Sequence, residues 1–102
     1  WIAFTISTIL SVSAATAQNA DHLENLTAVI ASEHVCGFRV NRDMVEVAVQ
    51  TLFGDPASVA PGGRYWPQIE ENMRRVEALT STESGRESFC ANTAASLSAF
   101  FD

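Results

Sequence analysis

MVEVAVQTLF, residues 44–53, admits two readings, and the choice between them decides the fold class. Val45, Val47 and Val49 alternate as the buried side of a strand does. Wound at about 100° per residue, the same stretch gathers Met44, Val45, Ala48, Val49, Leu52 and Phe53 within half the circumference and leaves only Val47 outside. A strand would divide these residues between two faces. Asn41 is a favourable N-cap, and Asp43 and Glu46 lie near the positive end of the helix dipole. The sequence therefore predicts a helix from Arg42 to Phe53, and no sheet of more than two short strands.

Upstream, Asp21 and Glu24 read as an N-cap with its third-position acid, opening a helix that runs to about Cys36 with Leu23, Leu26 and Ile30 on its inner face. Gly37 stops it, because glycine takes the left-handed conformation that follows many helix ends, and Phe38 can fold back on the last turn. Downstream, Gly54 to Trp66, GDPASVAPGGRYW, holds two of the three prolines and three of the five glycines. It reads as a loop, with one helical turn after Asp55-Pro56. Pro67 suits the first position of a third helix whose inner stripe is Ile69, Met73, Val76 and Leu79. Its outer face sets Glu70 against Arg74 and Glu71 against Arg75, solvated pairs worth about 0.2–0.5 kcal/mol each.

The polar run TSTESGR, residues 80–86, leads into a last helix from about Glu87 to Phe101. Phe89, Cys90, Thr93, Leu97, Phe100 and Phe101 share one side of it. The other side, which includes Ala91, Ala95 and Ser98, is small and uncharged. Small residues let another helix approach closely, so this helix is expected either to be packed on both faces or to form a seam with a partner or with a second copy as a homodimer.

The first 17 residues, WIAFTISTILSVSAATA, contain no charge and end in Ala15-Thr16-Ala17, the small-x-small pattern read by signal peptidase. They are expected to be a signal peptide, truncated because the basic n-region is missing, and residues 18–102 a single helical domain. Export implies an oxidising compartment, and Cys36 and Cys90 are the only two thiols, so one disulfide is expected. The expected fold is all-α: a small four-helix domain stapled by one disulfide, in a periplasmic or secreted protein.

All six basic residues are arginine, which excludes Schiff-base chemistry, a Ser-Lys dyad and the phosphate-cradling GxxxxGK[ST] loop. Twelve acidic residues bring the formal charge to -6, which argues against nucleic acid, whose binding is driven by cations that displace its counterions. No membrane partner is expected once the leader is cleaved. His22 and His34 would stand about 18 Å apart along one helix, too far to share a metal, so no metal and no cofactor is expected. No GxSxG elbow, EF-hand, HExxH or dinucleotide fingerprint is present, and no catalytic residue is assigned.

The best candidate for function is then a surface. Arg64, Tyr65 and Trp66 are residue types that dominate binding hot spots, and they end a loop rich in proline and glycine. The expected role is non-catalytic binding of a protein partner, as an adaptor. Two other classes compete with it: an acid-activated periplasmic holdase, and a small hydrolase or enzyme inhibitor. In size, acidity and single long-range disulfide the chain resembles small periplasmic acid-stress chaperones, in architecture alone and with no residue carried over. Protonating every side-chain carboxylate would leave six arginines and two histidines as net positive charge, enough self-repulsion to open a small domain.

Overall fold

The computed structural model describes the backbone of residues 2–102 and the side chains from Asn19 onward. Four α-helices follow one another: α1 (Ile2–Val35), α2 (Arg42–Phe53), α3 (Trp66–Leu79) and α4 (Glu83–Ser96), with 3-10 turns at Pro56–Val59 and Ser98–Phe100. Among the described residues the only extended pairing is one antiparallel bridge between Val40 and Phe101. The chain is all-α, and residues 44–53 are helical as their periodicity predicts.

Asp21 does not cap the first helix. Asn19 and Ala20 are already helical, and Asp21 lies within α1. No glycine or proline between residues 14 and 22 interrupts the winding, and alanine, the best helix former, recurs through this stretch. The expected leader, residues 1–17, lies outside the residues whose side chains are described. At the other end α1 stops where Gly37 predicts. Gly37 has φ +71°, and the N–H groups of Cys36 and Phe38 both donate to the Ser32 carbonyl, at 2.9 and 3.3 Å. Phe38 then meets Phe101 edge-on, with ring centroids 5.1 Å apart.

α2 is capped by Asn41, whose side-chain oxygen accepts from the Met44 N–H at 3.1 Å. α3 begins at Trp66, with Pro67 in its first turn. α4 starts a turn earlier than expected, because the Thr82 hydroxyl accepts from the Gly85 N–H at 3.1 Å and turns part of the polar run into helix. It also ends earlier, at Ser96. The C-terminal residues leave the helix to pair with the α1–α2 link: the Asn41 N–H donates to Phe100 at 2.7 Å and the Asp102 N–H to Arg39 at 2.9 Å.

α3 and α4 pack against α1, while α2 makes its closest backbone approaches to the two 3-10 turns. A disulfide joins Cys36, just past the end of α1, to Cys90 in α4, with the Cα atoms 5.7 Å apart. Such a bond belongs to an oxidising, non-cytosolic compartment. The buried apolar side chains are Leu23, Val29, Val49 and Ile69, accompanied by Thr27, Ser32, Asn72 and Thr93. Thr27 and Ser32 satisfy their hydroxyls within α1, donating to the Leu23 and Val29 carbonyls. Asn72 accepts from Gln68 at 3.1 Å, and its own buried amide N–H group has no partner.

Three expected inner faces are corrected. On α1, Ile30 is exposed and Leu26 only half-buried, whereas Thr27, Val29 and Ser32 are buried. The small polar side of α1 therefore packs in the core, and part of its apolar stripe does not. On α3, Leu79 is 55% exposed, because ten residues after Ile69 the helix has turned it to the margin of the stripe. On α4 Ala91 and Ala95, and in the turn after it Ser98, are exposed, so among the described residues this helix is not packed on both faces. Among the described residues no helix is both long and apolar enough to cross a membrane.

Candidate functional site

The loop between α2 and α3 is a built structure. Asp55 Oδ1 accepts from the Ala57 N–H at 3.0 Å, and the Ser58 hydroxyl donates to the Asp55 carbonyl at 2.6 Å, which fixes the 3-10 turn. The Gly63 N–H then donates to Ala60 at 2.8 Å, and the Tyr65 N–H reaches back to Ser58 at 2.9 Å. Gly63 passes so close to the Ala57 and Ser58 carbonyls that any Cβ would collide with them. A loop closed on itself in this way presents its last residues in one arrangement, which lowers the entropy lost on binding.

Those last residues are Arg64, Tyr65 and Trp66. Arg64 is exposed and its guanidinium carbon lies 4.7 Å from the centre of the Tyr65 ring, a cation–π contact. Tyr65 and Trp66 are half-buried. Tyr65 in turn packs on Phe53 at the end of α2, with centroids 5.3 Å apart. Arg64 and Tyr65 thus stay together, with Tyr65 held on Phe53.

Phe53 also belongs to a feature that the sequence did not announce. Between α1 and α2 lies a cleft with a cavity of about 190 Å³ lined by Leu26 and Val29 from α1, by Val45, Val49, Leu52 and Phe53 from α2, and by Leu97 and Phe100. His22 and Asn25 stand at its mouth. The cleft continues toward the start of α2 past Ile30, His34, Val40 and Val45. Of the inner stripes that the hydrophobic pattern marks, Leu26 and Ile30 of α1 and Val45, Ala48, Val49, Leu52 and Phe53 of α2 line this opening, and Leu23 and Met44 do not. Ile30, Met44 and Leu52 remain 43, 41 and 43% exposed. The pattern located these stripes as apolar and could not say that, among the described residues, Ile30, Met44 and Leu52 are left exposed.

The charged groups perform no visible chemistry. Glu71 pairs with Arg74 at 2.7 Å on the outer face of α3, one turn apart at i, i+3 in place of the expected i, i+4 ladder. The hydrogen bond from Arg74 and its positive charge hold the Glu71 carboxyl below its ordinary value, and the same bond with the negative charge of Glu71 raises Arg74 above its own. Arg42 reaches Glu33 at 3.1 Å across the open end of the cleft. His34 is exposed and His22 half-buried. Among the described residues no three His, Cys, Asp or Glu side chains gather as metal ligands would. Comparison with protein-family models, curated proteins and solved structures finds no match to this chain.

Proposed function

We propose that this chain is an exported, non-catalytic protein-binding module, acting in the periplasm or outside the cell, whose contact surface joins the Arg64-Tyr65-Trp66 loop to the cleft beside it. One observation carries the reading: Phe53 both lines the cleft and supports Tyr65, so a fixed aromatic and guanidinium ridge borders an uncovered apolar trough. Rigid aromatics and arginine beside desolvated apolar surface are the usual makings of a binding hot spot. The disulfide supports an oxidising setting for it.

The test compares Trp66→Ala with Ile69→Ala by thermal melting and by affinity capture from a native extract at neutral and acid pH. Trp66→Ala is expected to lose the captured partner while keeping most of its stability, and Ile69→Ala to lose stability. A Trp66→Ala chain that melts as early as Ile69→Ala would make the ring a core residue and end the reading. Capture of many clients only at acid pH would favour a holdase.

A further inference from the structure

We propose that α2 opens and closes as a unit of its own, apart from the body formed by α1, α3 and α4, and that residues 97–102 are the latch that holds it shut. Among the described residues, every buried side chain except Val49 belongs to the body. The disulfide ties α1 to α4 within that same body. Between α1 and α2, by contrast, stand the cleft and one ion pair, Arg42 with Glu33, whose arginine side chain is 81% exposed. A pair so open to water holds little. Regions with few buried contacts open at a lower free energy than the core beside them, and α2 is such a region.

What fixes the start of α2 is the chain that follows α4. The Asn41 N–H donates to the Phe100 carbonyl at 2.7 Å, the Asp102 N–H donates to the Arg39 carbonyl at 2.9 Å, and Val40 and Phe101 form the antiparallel bridge between them. The Phe101 ring meets Phe38 edge-on, and Leu97 and Phe100 line the cavity together with Val45, Val49, Leu52 and Phe53. Both segments of the latch leave from the staple, one past Cys36 and the other along α4 from Cys90. Gly37, at φ +71° with open space around it, lets the link to α2 swing while Cys36 stays bonded. A released α2 has only 12 residues, too few to persist as a helix in water, so opening unwinds it. Phe53 then leaves Tyr65, and the latch thereby sets how often the contact surface of the binding role is assembled.

Native-state hydrogen exchange on the full chain, with its disulfide intact, tests this amide by amide. Residues 46–53 are expected to exchange at least about tenfold faster than residues 29–32 of α1 and 70–73 of α3, and the N–H groups of Asn41 and Asp102 to exchange with them. Phe101→Ala should speed residues 46–53 by about a further tenfold and leave residues 29–32 and 70–73 as they were. Phe38→Ala should do the same, and the two together little more than either alone, because they are the halves of one contact. Phe89→Ala, on α4 facing the hollow between α1 and α3, should show the reverse pattern and speed the body alone.

Equal exchange in α2 and in the body of the parent chain would overturn the proposal, since the domain would then open as one unit. So would a Phe101→Ala chain in which α1 and α3 speed up as much as α2, which would make the ring a core residue, or one in which α2 does not respond, which would place the latch elsewhere. Each of these results is read on the free chain and leaves the binding role to its own test, the comparison of Trp66→Ala with Ile69→Ala.

Discussion

α2 and α3 are amphipathic helices of similar length, 12 and 14 residues, and the domain treats them differently. α3 lies along α1 and buries Ile69 to 1% exposure, with Asn72 beside it. α2 buries only Val49 and hangs from the two 3-10 turns, leaving Met44, Val47 and Leu52 in the open. A hydrophobic stripe shows that a helix face is to be covered; it does not show by what. In this chain α3 lays the start of its stripe against α1, while much of the α2 stripe borders a trough.

The first way to break this contrast is to remove the staple on the packed side. The Cys36–Cys90 bond closes a long loop, with a separation of 54 residues, and its loss through Cys36→Ala/Cys90→Ala is expected to lower stability by about 4 kcal/mol on chain entropy. Denaturant unfolding of the double variant against the parent measures it. A change under about 1 kcal/mol would mean that α1 and α4 hold together without the bond.

Next comes a matched truncation on the two sides. Ile69→Ala is expected to destabilise by about 3 kcal/mol, because a fully buried side chain leaves a cavity behind. Leu52→Ala removes a similar volume from a residue 43% exposed and is expected to stay within about 1 kcal/mol. Equal losses in thermal melting would show that α2 is core as fully as α3 and would close the cleft as a binding surface.

How much of this was legible beforehand differs by region. The helix over residues 42–53 was readable because six apolar side chains fall in half a turn and Asn41 stands before them. The stop at Gly37, the capped turn at Asp55-Pro56 and the pairing of the only two cysteines were readable from local chemistry. The start of α4 was not, since Thr82 competes with the glycine and serines around it for the role of cap. Nor was the burial of Thr27, Ser32 and Asn72, because small polar residues pass into a core only where neighbouring helices approach closely, a tertiary fact. The Arg64, Tyr65 and Trp66 cluster could be picked out by residue type. The cleft beside it could not, since it is the space left when α3 and α4, and not α2, take up the packing against α1.

A smaller effect belongs to the exposed outer face of α3. Because Glu71 is held below the ordinary carboxylate range by Arg74, its contribution to stability is present above about pH 4.5 and is lost as the pH falls through the lower folded value. Both side chains stand in water, so Glu71→Gln is expected to change the melting temperature very little at neutral pH, and the two chains should converge in acid. A large drop at neutral pH would give this pair a structural role that its exposure denies.

The most direct test of the account is to map where a captured partner touches the molecule. Amide chemical shifts of the isotopically labelled chain, followed through a titration with that partner, are predicted to move most at Arg64, Tyr65 and Trp66 and at Leu26, Val45, Leu52 and Phe53 along the cleft. Glu70, Glu71 and Arg74 on α3, and Ala91 and Ala95 on α4, are predicted to stay in place. Shifts centred on Ala91, Ala95 and Ser98, or spread evenly over the acidic surface, would contradict the proposal that the Arg64-Tyr65-Trp66 loop and the cleft beside it form the contact surface.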